Sequence, residues 1–160
     1  AHHDHFTTVD HAAPHCSSDQ EYRGVLGDKS AGVFRGRVIV RSGAQKTDAR
    51  QSNPNILLSD GASIDTKPQL EIYADDIKAS HGSTIGQLDT ESLFFLRARG
   101  IGESDARLLM TRGFAQTIVD GVGDEAARVL IGERVDAALS SLQSSASSMR
   151  PGSSPRRDSA

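Results

Sequence analysis

The stretch of sequence that decides the fold is PQLEIYADDIKASHG, at residues 68–82. Its first half alternates, with Leu70 and Ile72 on one face and Glu71 on the other, as a half-buried strand does. The chain then passes through a pair of aspartates to one histidine, His81, which lies between a serine and a glycine. The alternation predicts a strand, and no common catalytic pattern accounts for the histidine.

Short aliphatic runs separated by Gly, Asn, Asp and Ser extend over residues 1–88. The run 38–40, Val-Ile-Val between two arginines, is typical of a strand. Many short strands with polar turns fit a sandwich, a barrel or a β-solenoid, and the residues alone leave these three open. Because only 4% of residues are aromatic and none is Trp, we expect a core of aliphatic side chains.

The pattern changes to helices at residue 89. Asp89 is placed as an N-cap and Gly100 as a C-terminal stop for a first helix. Two amphipathic stripes follow, within 106–118 and 127–142, joined by the loop DGVG, and they predict an antiparallel helical hairpin. Gly113 lies in the first stripe and predicts close approach of another backbone.

We therefore divide the chain into three parts. Residues 1–88 form a β core, and residues 89–143 form a C-terminal helical subdomain. Residues 144–160 are rich in Ser, Pro and Arg and are predicted to be disordered.

Composition argues against several partners and settings. The net charge is −3, so the chain as a whole offers no field to recruit nucleic acid. No apolar run approaches the roughly 18 residues of a transmembrane helix. A single cysteine, Cys16, cannot form an internal disulfide, which favours a reducing, intracellular compartment. The sequence begins AHHDH without an initiating Met or signal-peptide pattern, and we interpret it as a piece of a longer protein.

Potential metal ligands are concentrated near the N-terminus: His2, His3, His5, His11, His15 and Cys16. Their spacing does not match the paired ligands of a closed zinc site, so exposed strand and turn histidines are favoured. His3 and His5 alternate onto one strand face, which keeps the metal-binding hypothesis open. Cys16 and His15 are adjacent on an extended chain and point apart, so they do not form a catalytic pair.

Other charged residues have ordinary interpretations. Asp75 and Asp76 suit a turn better than acid–base catalysis. Arg35, Arg37, Arg41, Lys46 and Arg50 could form a basic patch, but few aromatics lie among them and a solvated sheet face is favoured. His81 differs, because it ends the strand-like region beside the flexible Gly82, where it could serve as a ligand at a subunit boundary.

Most of the chain, from about residue 14 to 118, resembles the SufB/SufD family of iron–sulfur cluster assembly proteins, and its SufD branch more closely than SufB. Besides residues 68–82, the segments that carry the resemblance are HCSSDQEYRGV at 15–25, GVFRGRV at 32–38, AQKTDARQSN at 44–53, LLSD at 57–60, IDTKP at 64–68 and LFFLRARGI at 93–101. Their order and spacing together are specific.

The resemblance implies a mainly β fold, a right-handed parallel β-helix followed by the helical subdomain. It also implies a scaffold rather than an enzyme, which pairs with a SufB-like subunit through the β-helix and binds a SufC-like ATPase through the helices. A transient iron–sulfur cluster is expected at the interface with a partner. The implied location is the cytoplasm, or the plastid in a eukaryote.

His81 occupies the position of the SufD histidine implicated at that interface as a cluster or iron ligand. Many SufD sequences have a cysteine two residues earlier, where this chain has Ala79, so thiolates are expected from the partner. Gly82 stands where SufB-like chains tend to have Glu, and no counterpart of the SufB assembly cysteine lies near residues 53–58.

Two alternatives remain. One is a metal-binding β-helix that uses the N-terminal histidines without SUF partners. The other is a β-helix enzyme acting on polysaccharide, which the low aromatic content disfavours.

Overall fold

The computed structural model describes residues 1–148, with side chains described to residue 142, and in this range seven strands precede three helices. The strands are β1 (His2–His11), β2 (Ser17–Glu21), β3 (Gly24–Leu26), β4 (Ala31–Val40), β5 (Asp48–Leu57), β6 (Ser63–Ile72) and β7 (Lys78–Gly86). The helices are α1 (Thr90–Ala98), α2 (Glu103–Asp120) and α3 (Glu125–Ser148). The prediction of a mainly β fold with C-terminal helices is confirmed.

The strands form two open parallel sheets. One has the order β1-β4-β6; in the other, β5 pairs with β2 and β3 along one edge and with β7 along the opposite edge. The chain alternates between the two sheets, except that β2 and β3 follow one another in the same sheet. The three strands of the first sheet begin at matching positions, so their residues stack in register. His2 pairs with Ala31, and Ala31 pairs with Ser63.

The core lies between the two sheets. Side chains of β4 alternate strictly between buried and partly exposed at its C-terminal end, because successive residues of a strand point to opposite faces. The buried cluster is aliphatic, as predicted, and consists of Val38, Val40, Ala44, Ala49 and Ala74, with Leu70 and Ile77 packed against it. Burying a valine of this kind contributes about 1.5–3 kcal/mol.

Buried amides cross-link the interior of β5. Asn55 Nδ2 donates to the carbonyl of Asn53 at 2.8 Å and to that of Thr84, on β7, at 3.1 Å. Asn53 Nδ2 donates to the carbonyl of Tyr22 at 3.1 Å. Buried polar groups stabilise a fold when they are hydrogen-bonded, and here the contact of Asn55 with Thr84 ties β7 to β5, while that of Asn53 with Tyr22 ties the segment after β2 to β5.

The local signals predicted for the helices are present. The Asp89 carboxylate accepts a hydrogen bond from the Ser92 amide at 2.8 Å, and Gly100 has a φ of +87°, which ends α1 in the left-handed conformation. The α2–α3 pair is antiparallel, since Arg112 pairs with Asp136 at 2.6 Å while Val119 lies against Gly132.

Two details of the helices differ from the prediction. Among the described residues, no neighbouring atom lies within 4 Å of the side of Gly113, so the predicted close backbone approach there is wrong. The buried residues of α2 are Ala106, Thr111 and Val119, of which only Ala106 belongs to the predicted stripe, and Leu109 of that stripe is 52% exposed. Helix α3 continues to Ser148, since the serines and alanines after residue 143 do not break it. Residues 149–160 of the predicted disordered tail lie outside the described range.

Two arginines attach α2 to the strand layer. Arg23 Nη1 donates to the carbonyl of Phe114 at 2.8 Å, and its guanidinium lies 4.8 Å from the centre of the Phe114 ring. Arg107 donates to the carbonyl of Leu58 at 2.8 Å. No helix in residues 1–148 is long and apolar enough to span a lipid bilayer.

Candidate functional site

His81 lies in the middle of β7 and is exposed. Within the described residues β7 pairs only with β5, so its other edge presents free backbone donors and acceptors. His81 is the register partner of Gln51, and paired residues of parallel strands share one face. That face is the inner one, because Gln51 is only 3% exposed.

A row of polar side chains leads through the interior to His81. Gln20 on β2, Gln51 on β5 and His81 on β7 are in register across the sheet. Gln51 Nε2 lies 3.4 Å from Gln20 Oε1, and the amide group therefore points its nitrogen towards β2. His81 is the exposed end of this row.

The row fits inside the fold because Gly36, on β4, has no side chain. A Cβ added at Gly36 would lie only 2.5–2.7 Å from the amide atoms of Gln51. The glycine thus leaves room for the Gln51 side chain between the two sheets.

The end of the stack that carries His81 also exposes apolar side chains. β6 and β7 are the outer strands of their sheets on this side. Ile72 is 42% exposed, Tyr73 63% and Ile85 51%. Unpaired strand edges beside exposed apolar groups are typical of a surface that pairs with another chain.

The residues on either side of His81 supply no second strong ligand. Ala79 and Ser83 share the inner face of β7 with His81, and Ala79 provides no thiolate. Among residues 1–148, no group of three or more His, Cys, Asp or Glu side chains is arranged to hold a metal ion. The site as described therefore offers a single imidazole.

The basic residues singled out in the sequence do not form a free cationic patch. Four of the five lie in ion pairs: Arg37 with Glu71, Arg41 with Asp10 and Lys46 with Asp76, each from another strand or turn, and Arg50 with Asp48 of its own strand β5. This face therefore offers little net positive charge, in agreement with a solvated sheet face.

Two of these pairs, Arg37 with Glu71 and Arg41 with Asp10, are bidentate. Arg37 donates two hydrogen bonds of 2.7 Å to the carboxylate of Glu71. Those bonds lower the pKa of Glu71 below its usual value and raise the pKa of Arg37. Hydrogen bonds from Arg41 similarly lower the pKa of Asp10.

The two adjacent aspartates lie in the turn between β6 and β7, as predicted. Asp76 forms an ion pair with Lys46, its amide donates to Gln45 Oε1 at 2.9 Å, and its carbonyl accepts from the Lys46 amide at 2.6 Å. Asp76 thus anchors the turn that precedes β7.

Four of the N-terminal histidines, His2, His3, His5 and His11, lie on β1, and His15 lies in the turn that follows, with a φ of +58°. His3 and His5 share one face, as predicted, and line an open cavity of about 410 Å³. His11, on the same face, is buried, and its Nε2 lies 2.9 Å from Ser18 Oγ. Cys16 is a free thiol whose Sγ lies 4.0 Å from the Pro14 carbonyl. Two imidazoles at one cavity fall short of a closed metal site.

The helical region exposes a second apolar surface. A shallow groove on α3 is formed by Leu130, Ile131, Val135 and Ala138, with Arg134 at its border. On α1, Phe94 is 72% exposed.

Comparison with known proteins identifies the family. The family model described as "SUF system FeS cluster assembly, SufBD core domain" matches residues 1–114. This chain belongs to the SufBD family.

The chain is similar to named members of that family. It is 43% identical over 119 residues to the iron-sulfur cluster assembly protein SufD of Escherichia coli K12, which covers 74% of this chain and 28% of the E. coli protein. It is 43% identical over 109 residues to the SufBD family protein slr0076 of Synechocystis, covering 68% of this chain and 24% of that protein. It is 36% identical over 113 residues to the chloroplastic protein ABCI7 of Arabidopsis thaliana, covering 70% and 23%. The chain thus spans less than a third of each of these relatives.

Sequence reasoning singled out His81 but did not single out Gln20, Gln51 and Gly36, which lie beside it in the structure. Glutamines in polar strands such as SSDQE are ordinarily expected to face solvent. One signal in the sequence could have revealed the row. Gln20, Gln51 and His81 follow one another at nearly equal intervals along the chain, as residues in register on successive turns of a repeating fold do.

Proposed function

We propose that this chain is a SufD-like scaffold of the SUF system for iron–sulfur cluster assembly, and not itself an enzyme. Its strands would form part of a right-handed parallel β-helix, followed by the helical subdomain of residues 89–143. The alternation of the chain between two parallel, in-register sheets supports this architecture. The family match supports the role in assembly.

The observation that carries the proposal is the position of His81 on an edge strand, β7, which pairs with β5 on one side and has a free edge on the other. The free edge of β7 and the exposed Ile72 and Ile85 provide hydrogen-bonding and apolar surface for a SufB-like subunit. Docking there would place His81 at the boundary between the two chains.

The iron–sulfur cluster is the cargo of this system. His81 supplies one imidazole ligand, which suits iron. The remaining ligands would come from the partner, because no metal-binding group of three exists among the described residues of this chain. A cluster held partly by each subunit would be released when the interface changes, which fits transient assembly.

The helices would bind a SufC-like ATPase. The apolar groove on α3 and the exposed Phe94 of α1 offer the kind of surface that a partner covers. The relatives in E. coli and in the Arabidopsis chloroplast agree with a cytoplasmic or plastid setting for the complex.

The test is co-expression of the 160-residue chain with tagged SufB and SufC proteins, followed by purification and measurement of iron and sulfide. We expect the wild-type chain to co-purify with both. We expect Ile85→Glu to release SufB selectively and Leu130→Glu to release SufC selectively. A folded chain that binds neither protein would refute the proposal.

The role of His81 is tested in the same complex. We expect His81→Ala to lower the bound iron and sulfide while complex formation is retained. The matched control is His2→Ala, which removes an exposed histidine from β1 and should leave the cluster content unchanged. Normal cluster content in His81→Ala would exclude this histidine from the mechanism.

A further inference from the structure

The carbonyl oxygen of the Gln51 side chain is buried without a partner. Gln51 is 3% exposed, and its Oε1 accepts no hydrogen bond from any described residue. Buried polar atoms in folded proteins are nearly always hydrogen-bonded, so this oxygen needs a donor.

The direction of the amide row identifies the side from which that donor must come. Gln51 Nε2 points to Gln20 Oε1 at 3.4 Å, and Gln20 Nε2 is the unpaired atom at the far end of the row. Side-chain amides stacked in register donate in one direction and accept from the other. Gln51 Oε1 is therefore the acceptor directed to the β7 side.

The donor available on β7 is His81. It is the register partner of Gln51 and shares its face of the sheet, and neighbouring strands lie about 4.8 Å apart. Ala79 has no polar side-chain atom, and Ser83 is in register with Asn53 instead. On the facing sheet Gly36 contributes no side chain. Of the two buried, unpaired hydroxyls on that sheet, Thr7 lies on β1, on the side of Gly36 away from β6, and Thr66 is in register with Phe34 rather than with Gly36.

We propose that Gln51 is a positioning residue for His81: rotation of the exposed imidazole about its side-chain bonds brings a ring N–H to Gln51 Oε1, a bond that the conformer described does not make. The hydrogen bond fixes the tautomer and the orientation of the imidazole. The other ring nitrogen then carries the lone pair and faces the open edge, ready to bind a metal. The hydrogen bond itself stands on the geometry of the row; its use for metal binding rests on the proposed function of His81.

The test is the tautomeric state of His81 in the full 160-residue chain, measured without metal. Long-range ¹H–¹⁵N spectra of ¹⁵N-histidine-labelled protein at about pH 8.5, where histidine is ordinarily neutral, distinguish the two tautomers. The His81 signals are assigned by their disappearance in His81→Asn. We expect one tautomer in the wild-type chain and a mixture in Gln51→Met, which keeps the volume but removes the acceptor.

Two further variants separate hydrogen bonding from packing. Gln51→Glu retains an acceptor and is expected to restore a single tautomer. Gln69→Met makes the same change at an exposed position of β6, outside the row, and is expected to leave the His81 spectrum unchanged. A mixture in Gln51→Glu equal to that in Gln51→Met would overturn the proposal.

The wild-type spectrum decides the matter even if the Gln51 variants do not fold. A wild-type His81 that populates both tautomers would rule out the hydrogen bond. The hydrogen bond can be correct even if His81 does not bind metal. In that case Gln51→Met would still change the tautomer of His81, but His81→Ala would leave the cluster content of the SUF complex unchanged. If both proposals hold, Gln51→Met should also weaken metal binding about 10–100-fold.

Discussion

Substituting Gly36 by alanine tests directly whether the interior space beside Gln51 is required. The added Cβ would lie 2.5–2.7 Å from Nε2, Cδ and Oε1 of Gln51, closer than atoms pack in proteins. Gln51 is enclosed between the sheets, so its amide can move only by disturbing its neighbours. Overpacking of this kind costs about 1–3 kcal/mol.

A second effect acts in the opposite direction. Replacing glycine by alanine restricts the unfolded chain and stabilises the fold by about 0.4–1 kcal/mol where the backbone permits it. We therefore expect Gly36→Ala to lower the free energy of unfolding by about 0.5–2 kcal/mol. Gly43→Ala is the matched control, because nothing described lies within 4 Å of its side, and it should not destabilise the protein.

A double-mutant cycle identifies Gln51 as the cause. In a Gln51→Ala background the space beside Gly36 is empty, so the cost of Gly36→Ala should vanish and the coupling energy should reach about 1 kcal/mol or more. Urea unfolding followed by circular dichroism gives the four free energies. An equal cost of Gly36→Ala in both backgrounds would refute the packing argument.

Three other predictions follow from the fold. The pKa of Glu71 is lowered in the folded state, so its ion pair with Arg37 stabilises the protein at pH values above 4.5, the usual pKa of a glutamate. This stabilisation is lost as the pH falls through the folded-state pKa of Glu71. Between pH 7 and about 3, the urea midpoint of the wild type should therefore fall more than that of Glu71→Gln. Val38→Ala removes two fully buried methyl groups and should cost about 2–3 kcal/mol in the same assay, whereas a loss below about 1 kcal/mol would contradict a tightly packed core. Asp89→Ala removes the cap of α1, so the Ser92 amide should exchange with deuterium severalfold faster, and unchanged exchange would show that the cap is dispensable.

The features that the sequence predicted well are local. The strand around residues 38–40, the cap at Asp89 and the stop at Gly100 each depend on a few neighbouring residues, and all three are present. The pairing of strands was not accessible in this way, because it joins residues far apart in the chain. Periodicity left three β architectures open, and only the family resemblance favoured one of them.

The predictions that failed concern what lies next to a residue in space. Gly113 has the small size that close packing uses, but its side of α2 is open. For the basic residues, the favoured solvated face agrees with the structure, but the sequence could not name their acidic partners, such as Asp10 and Glu71, which come from other strands. The glutamine row was missed for the same reason: nothing near Gln51 in the sequence shows that β4 covers it.

An exposed histidine on an edge strand would ordinarily be a poor ligand, because edges fray and a mobile imidazole loses entropy on binding. In this structure, hydrogen bonds hold the backbone of β7 before, beside and after His81. The Lys78 amide donates to the Thr47 carbonyl at 2.8 Å before it, the Thr84 carbonyl accepts from Asn55 at 3.1 Å after it, and β5 pairs along its length. The backbone at His81 is thus fixed while the side chain stays accessible, as the proposed role of His81 as a ligand at the boundary with another chain requires.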